Sequence, residues 1–456
     1  MHTRLLANIA LLSAAAAALA GAPLLPAQQP LKLPDAIARA LAHNPELALD
    51  EPELAAARAD ERAAQAARLP ELGAQLNYGG GNNPVYVFGT RLSQRRFTQA
   101  DFALPALNRP DALQNVQTRL SAQQTLWDFG RTAGHMRAAR LGVALSEHGA
   151  EDHRRRVILE TVEAYYGVAL ARAGLEAARA ALQSAESIAE QARARVESGF
   201  AVEADRLRAL AHLAEAHRHE IEARGMLASA RATLNRILGL ALDADPGEPT
   251  ALSPARLPIP AEETLLAEQV RRRPDYRRLA TEVRQAEEQL RSRKADLYPV
   301  LSGFAAWETD NPSWVTAGGS NWLAGFSLQW NISAGGAEHA RLEAARQRLE
   351  QKRRQAAAME SAMRLELHQA LIQVRSAEQM VEAARAAERQ SEESLQILRN
   401  RYDAGLATMT DLLAAEAARA QARSALAEAV YRHRVSYAHL EAAAGILSPT
   451  SLSTNP

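Results

Sequence analysis

The sequence has no cysteine, few aromatic residues and no excess of either charge. Without cysteine the chain cannot form disulfides, thiolate zinc sites, a cysteine nucleophile or a lipid-modified N-terminal cysteine. Its 53 basic and 53 acidic residues cancel, so the charge gives no reason to expect a nucleic-acid partner. The sequence also lacks an HExxH motif, a P-loop and a dinucleotide glycine fingerprint. We therefore expect no enzyme activity and no cofactor. The nearby histidines His212, His217 and His219 do not share one helix face, so we expect no metal site either.

Long apolar runs are scarce, and the main one lies at the N-terminus. Arg4 is followed by "LLANIALLSAAAAALA", and Ala18-Leu19-Ala20 fits a small-x-small cleavage site. This pattern is typical of a secretory signal peptide. A transmembrane anchor is the alternative, but the run is short and rich in alanine for a membrane span. We expect the mature protein to leave the cytoplasm without a helical anchor.

The feature that dominates the rest of the chain is an internal duplication. "RVESGFAVEADRLRAL" at 195–210 matches "RYDAGLATMTDLLAAE" at 401–416, so that Gly199 pairs with Gly405 and Asp205 with Asp411, each 206 positions apart. Farther upstream the offset is 229, and the first half therefore carries 23 extra residues. We assign this surplus to a long loop at 79–114, which is rich in glycine, proline and asparagine.

Each half is predicted to contain a helix, two strands, a very long helix, a bend and a second helix. The first long helix, at 132–198, would span roughly 100 Å at about 1.5 Å per residue. Its small and apolar residues follow a heptad, which predicts a seam facing a partner helix. The seam residues are Val157, Thr161, Ala164, Val168, Ala171, Leu175, Ala178, Leu182, Ala185, Ala189, Ala192 and Val196. Gly199 and Gly405 end the long helices, so each half forms an antiparallel hairpin with a similar tip.

The predicted strands alternate between apolar and polar residues. In "NWLAGFSLQWNI", one face carries Trp322, Phe326, Leu328 and Trp330, and we expect these side chains to face lipid. A soluble sheet with one face on a core would give the same alternation. Four strands cannot close a barrel in lipid, where open edges are not tolerated. A membrane location therefore requires strands from several chains.

Taken together, these segments resemble the TolC-like outer-membrane efflux and secretion channels. The similarity rests on 402–445, on its repeat at 196–239, and on the strand-flanking motifs "LYPVLS" and "TLWDFGRT". It implies a homotrimer with a twelve-stranded β-barrel, continued by a periplasmic α-helical barrel. It also implies a periplasmic adaptor protein, and through that adaptor an inner-membrane pump. Outer-membrane lipid would surround the barrel.

The resemblance further assigns the hairpin tips to the periplasmic aperture and to adaptor docking. The residues concerned are Gly199, Asp205, Tyr402, Gly405 and Asp411. Two departures stand out: Ala407 occupies the position of an expected arginine, and Ala414 that of an expected carboxylate. Asp411 is a candidate for an acidic ring at the entrance. Alternatively, Asp205 and Asp411 are first-turn residues favoured by the helix dipole.

The predicted organisation leaves several functions open. The segments are a signal peptide (1–20), a lead (21–30), a first repeat (31–239; strands 71–80 and 117–129, hairpin 132–239), a linker or equatorial region (240–260), a second repeat (261–447; strands 300–308 and 321–332, hairpin 336–445) and a tail (448–456). The favoured function is the exit duct of a tripartite efflux pump for small molecules such as drugs or toxic compounds. A type I protein secretion conduit is the alternative, and a periplasmic coiled-coil scaffold is the alternative of another class.

Overall fold

The computed structural model describes residues 31–254, 257–259, 270–332 and 335–449. The predicted signal peptide and lead, the first residues of the predicted second repeat and most of the predicted tail lie outside the described residues. The chain divides into two compact units. One is built from Met1–Leu47, Arg154–Gln269 and Leu365–Pro456, and the other from Ala48–His153 and Val270–Arg364.

The helices and strands follow one another in two similar series. The first contains α1 (Leu33–His43), α2 (Asp50–Ala66), β1 (Glu71–Gly81), α3 (Pro84–Ser93), α4 (Leu104–Asn108), β2 (Leu113–Trp127), α5 (Arg131–Glu197) and α6 (Glu203–Ile237). The second contains α7 (Pro274–Ala295), β3 (Val300–Asn311), β4 (Gly319–Gln329), α8 (Ala337–Asp403) and α9 (Met409–Ala443). Within the described residues, the second series has one helix before its strands where the first has two, and it has no helix between its strands.

The long helices of the first unit bury more than the predicted heptad seam. Val157, Thr161 and Leu175 from that seam are buried, and so are neighbouring residues such as Val162 and Tyr165. The broader stripe forms because α5 shares one apolar cluster with α1, α6 and Ala438 of α9. A helix with several neighbours must bury a wider face than a two-stranded coiled coil requires.

Side-chain hydrogen bonds fasten the segment after α6 to this cluster. The hydroxyl of Tyr165 donates to the carbonyl of Leu31 at 2.7 Å and accepts from the amide of Thr250 at 2.9 Å. Leu31 also forms a parallel bridge with Pro249. The predicted linker is therefore held against the helices along this part of its length.

In the second unit the four strands form one antiparallel sheet in the order β1-β2-β3-β4. The register aligns Ala74 with Leu120, Leu120 with Trp307, and Trp307 with Trp322. Side chains of directly paired residues point to the same side of a sheet, so this row continues across all four strands. The neighbouring rows on the same side are also mainly apolar, and those on the other side are mainly polar. The sheet therefore has one apolar and one polar face.

The strand boundaries differ from the predicted ones at every strand: β1 ends at Gly81 rather than at 80, β3 ends at Asn311 rather than at 308, and β2 and β4 differ at both ends. β2 begins at Leu113 rather than at 117, because its first residues pair with the glycine run that ends β1 at Gly81. It also ends at Trp127 rather than at 129. β4 covers Gly319–Gln329 rather than 321–332. Trp330 therefore lies beyond the strand, since the apolar alternation continues past the last ladder hydrogen bond.

The long loop predicted at 79–114 is wrong as an irregular segment. It contains α3, α4 and a 3-10 turn between them. Asn83 caps α3 by accepting from the amides of Val85 and Tyr86, and Pro84 occupies the first turn. Asparagine followed by proline is a helix-start signal, and it was present in the sequence.

Candidate functional site

The first hairpin tip is a tight helix stop around Gly199. The amide of Phe200 donates to the carbonyl of Arg195 at 2.8 Å, and the amide of Gly199 donates to that of Val196 at 3.0 Å. Gly199 has φ +80, the left-handed conformation in which a side chain is strained. These two bonds satisfy carbonyls that the end of the helix leaves without intrahelical partners.

The second tip repeats these two hydrogen bonds at the matching positions. The amide of Leu406 donates to the carbonyl of Arg401 at 2.7 Å, and that of Gly405 donates to Tyr402 at 3.0 Å. Gly405 has φ +74. The duplication seen in the sequence is therefore a duplication of backbone structure at the tips.

The two tips differ in how the returning helix begins. Thr408 and Asp411 form a capping box in which the Thr408 hydroxyl donates to Asp411 Oδ2 at 2.6 Å and accepts from the Asp411 amide at 3.2 Å. The Thr408 hydroxyl and amide lower the pKa of the Asp411 carboxyl. This places Asp411 in the first turn, as one of the two sequence interpretations requires, and the acidic ring stays a prediction.

In the first tip Val202 occupies the capping position and offers no side-chain acceptor. Asp205, the counterpart of Asp411, is half-buried and accepts from Arg208 Nη1 at 3.3 Å. Its charge also acts on Tyr402. Burial raises the pKa of Tyr402, the nearby Arg195 opposes the rise, and Asp205 adds to it. Asp205 and Tyr402 are therefore brought together from different hairpins.

Arg195 joins the two tips, and the sequence analysis gave it no role. Its guanidinium lies 4.4 Å from the centre of the Tyr402 ring. It also donates to the carbonyl of Tyr402 at 3.1 Å and to Asp403 Oδ1 at 3.3 Å. Ala407, at the position of the expected arginine, packs instead against the apolar cluster that contains Tyr402 and Met409. An arginine from the other hairpin thus contacts Tyr402.

A buried ion network lies behind the tips. Glu416 is only 6% exposed and accepts from the Ser184 hydroxyl at 2.8 Å. Arg399 forms an ion pair with the same carboxylate, and Arg419 Nη1 approaches it at 3.8 Å. The sequence analysis missed this group because its partners come from α5, α8 and α9. A possible signal was a glutamate whose counterpart in the first repeat is Leu210.

The apolar face of the sheet is largely open within one chain, although Val116 on this face is buried. Trp322 is 79% exposed, Phe326 is 77% exposed and Leu328 is 69% exposed. All three predicted lipid-facing residues within β4 share this face. The face consists mainly of Leu72, Ala74, Leu76, Tyr78, Leu120, Ala122, Leu301, Ala305, Trp307, Trp322, Ala324, Phe326 and Leu328. Trp330 follows the strand, and its Nε1 donates to the Leu297 carbonyl at 3.1 Å.

A β-bulge extends this face at the end of β2. The pairing of β2 with β3 shifts between Thr125 and Trp127. A bulge inserts one residue into the strand and reverses the alternation that follows it. Trp127 therefore pairs with Leu301 on the apolar face instead of turning to the polar one. The sequence alternation alone gave no sign of this shift.

The opposite face carries hydrogen-bonding side chains across the strands. Asn77 donates to Gln117 at 3.2 Å, and Gln117 donates to Asp310 at 3.3 Å. Arg119 and Glu308 approach within 3.7 Å. Phe304 and Leu323 are apolar exceptions on this face. A sheet with these two faces can separate a lipid phase from an aqueous one.

Neither a metal cluster nor a membrane-spanning helix is found among the described residues. No group of three or more His, Cys, Asp or Glu side chains there is arranged to hold a metal ion. None of the helices that the structure describes has an apolar stretch long enough to cross a bilayer.

The four-stranded sheet with one apolar face and the long duplicated hairpins fit an outer-membrane channel protein with a helical extension. The chain belongs to the outer membrane efflux protein family, whose model matches residues 36–240 and 265–446. This membership confirms the expected outer-membrane location and the mainly helical fold with membrane strands. It also makes the protein a member of a channel family.

Solved structures of low sequence identity share the fold. The CmeC outer membrane channel of Campylobacter jejuni is 17% identical, with a TM-score of 0.79 and coverage of 92% of this chain and 88% of that one. The outer membrane protein VceC of Vibrio cholerae is 21% identical, with a TM-score of 0.75 and coverage of 91% and 96%. A membrane protein from Pseudomonas aeruginosa is 22% identical, with a TM-score of 0.76 and coverage of 91% and 93%. No curated protein sequence matches the chain significantly.

Proposed function

We propose that this protein is the homotrimeric exit channel of a tripartite efflux system. It receives small molecules such as drugs or toxic compounds from an inner-membrane pump, to which a periplasmic adaptor connects it. The observation that carries this proposal is the four-stranded sheet with one continuous apolar face. The channel itself catalyses no reaction, and its energy comes from the pump.

The edges of the sheet support an oligomer, and the proposed trimer would pair them. Within one chain β1 and β4 are each paired on one side only. An unpaired strand edge inside a bilayer leaves backbone groups without partners, at several kcal/mol each. Pairing β4 of one copy with β1 of the next removes every edge, and three copies give twelve strands. The apolar faces then meet lipid, and the polar faces line the lumen.

The hairpin tips support docking to a partner of higher symmetry. Gly199 and Gly405 end their helices with the same hydrogen bonds. A trimer therefore presents six tips of like backbone shape, which suits a ring of adaptor subunits. The Arg195 contact with Tyr402 links the two tips of one chain, and separating them would widen the aperture.

The first experiment is the protein mass of the particle that detergent extracts from outer membranes, by light scattering corrected for detergent. Three copies in the outer-membrane fraction would support the channel. A monomer or dimer released without detergent would overturn it in favour of a periplasmic scaffold. Cells lacking the protein should also accumulate the small substrates of the inner-membrane pump that it serves. Loss of an exported protein without such accumulation would instead favour the type I secretion conduit.

The acidic-ring hypothesis has its own test. Asp411→Asn should lower the cation-over-anion permeability ratio of the reconstituted channel if three carboxylates line the entrance. Glu186→Gln, an exposed change on α5, is the matched control and should leave the ratio unchanged. If Asp411→Asn weakens only the first turn of α9, with the ratio unaltered, then Asp411 is a capping residue alone.

A further inference from the structure

The segment between β1 and β2, residues 82–112, is a small folded body. We name it the cap segment. Its aromatic rings pack edge to face, with Phe97 4.7 Å from Phe88 and 5.1 Å from Phe102 between ring centres. Arg91 and Asp101 form an ion pair inside it, and Asp101 also closes a capping box with Thr98. The cap segment therefore has an interior of its own.

The cap segment rests on the polar face of the sheet. Gly319 in β4 pairs with Asp310 and lies on the side opposite to Trp322. A Cβ atom at Gly319 would be 2.1 Å from the carbonyl oxygen of Ser93, the last residue of α3. Only glycine permits this approach, because the atom in the way belongs to the backbone. The end of α3 thus sits where a side chain of the polar face would otherwise stand.

Hydrogen bonds fix the cap segment to the strands beneath it. Gln94 is 1% exposed and donates to the Gln114 carbonyl at 2.9 Å and to Asn115 Oδ1 at 3.0 Å. Asn115 in turn donates to Asp310 Oδ1 at 2.6 Å, and Asp310 is 2% exposed. Arg95 donates to the Ser320 carbonyl at 2.7 Å. These bonds attach the segment to β2, directly to β4, and through Asn115 to β3.

The cap segment contacts the first residues of β2 and β4. The long helices α5 and α8 follow the last residues of these strands, so they continue from the other end of the sheet. We propose that the cap segment narrows the outer mouth of the channel and sets the largest solute that can pass. This proposal rests on the proposed function, which makes the polar face the lumen wall. Three cap segments then project from that wall at the exit.

The test measures access to the lumen from outside intact cells. The chain has no cysteine, so Gln123→Cys places one thiol on the polar face of β2, well below the cap segment. A small maleimide and a maleimide on a long polyethylene glycol chain are compared. With the cap segment docked, the small reagent reacts and the large one is excluded. Asn108→Cys at the exposed end of α4 controls for reactivity and labels with both.

Two variants displace or remove the cap segment. Gly319→Leu places a side chain where the Ser93 carbonyl lies and should push the cap segment off the sheet. The second variant replaces residues 82–112 with Asn-Gly, because Gly81 and Leu113 are paired partners that a two-residue turn can join. Each should raise the labelling rate of Gln123→Cys by the large reagent about tenfold or more, since access follows the width of the mouth. Gly79→Leu is the control, because a Cβ there meets no atom within 4 Å.

The outcomes separate the two proposals. If even the small reagent fails at Gln123→Cys, the polar face is not a lumen and the proposed function itself fails. If the large reagent reacts equally fast with and without the cap segment, the size limit lies elsewhere and this inference is overturned. The segment-replacement variant decides the question if Gly319→Leu does not reach the membrane.

Discussion

The two hairpin tips share a backbone but not a set of side-chain roles. Gly199 and Gly405 adopt the same left-handed conformation and close the same pair of hydrogen bonds. The second tip then adds a capping box through Thr408, whereas Val202 at the matching position cannot cap. As a result, one tip uses its aspartate to start a helix, and the other leaves Asp205 beside Tyr402.

The two repeats therefore share the path of the chain at the tips but assign different tasks to their side chains. The second hairpin holds the capping box and Glu416 of the buried ion network. The first hairpin supplies Arg195, which reaches across to Tyr402. Tips of like backbone shape thus carry different side-chain contacts, and each variant below changes one side of this comparison.

The largest effect is expected at Glu416. Glu416→Gln removes a charge that Arg399 and Arg419 share, and we expect a loss of about 2 kcal/mol in the free energy of unfolding. The measurement is denaturant unfolding followed by helical circular dichroism in detergent. Glu393→Gln, at an exposed position of α8, should change stability by less than about 0.5 kcal/mol. Equal losses in both variants would contradict a stabilising role for the network.

The two tip glycines, Gly199 and Gly405, should lose the same stability as each other when substituted. Gly199→Ala and Gly405→Ala each place a Cβ at positive φ, at a cost of about 1–2 kcal/mol. Neither position has an atom within 4 Å of the new Cβ, so conformation alone sets the loss. Gly225→Ala within α6 also meets no atom and should stabilise the helix by roughly 1 kcal/mol. A loss at only one tip glycine would show that the tips are not equivalent.

Exchanging the capping residues should reverse the asymmetry. Thr408→Val should cost about 1 kcal/mol at the start of α9, and Val202→Thr should gain a similar amount at α6. Hydrogen exchange of the first-turn amides measures both. If Val202→Thr brings no added protection, the difference between the tips does not lie in the cap.

The cap at Thr408 should also depend on pH. The hydrogen bonds from Thr408 hold the pKa of Asp411 below its usual 3.8. A lowered carboxyl pKa stabilises the fold above the unfolded value, and this contribution disappears as pH falls through the folded value. Asp411→Asn should therefore reduce first-turn protection at neutral pH and make no difference in strong acid. A difference that persists unchanged in acid would contradict the charged cap.

The smallest effect concerns the contact between the tips. Arg195→Lys keeps the charge but loses the planar contact with the Tyr402 ring, and we expect a loss of about 0.5–1 kcal/mol. Arg401→Lys is the matched control, because Arg401 is the exposed repeat counterpart. Exchange at the amides of 403–406 provides the measurement. If the control variant loses as much protection, the ring contact is not the cause.

Local patterns were sufficient for much of the fold. The helix stops at Gly199 and Gly405, the long helices and the shared face of Trp322, Phe326 and Leu328 could be inferred because each depends on neighbours in sequence. The end of β4 was missed because Trp330 and Ile332 continue the alternation after the ladder stops. The cap segment was taken for a loop because the glycine run before it and the prolines within it outweighed the start signal at Asn83.

The sequence by itself determined the duplicated plan, the amphipathic strands and the family, since periodicity and repeats are properties of a linear chain. Only the tertiary structure decided which groups meet across elements. Arg195 with Tyr402, Ser184 with Glu416, and Ser93 with Gly319 each join residues more than 200 positions apart. The strand register, the bulge in β2 and the placement of the cap segment on the polar face belong to the same class. They depend on how separate elements pack, and no local pattern in a single sequence encodes that choice.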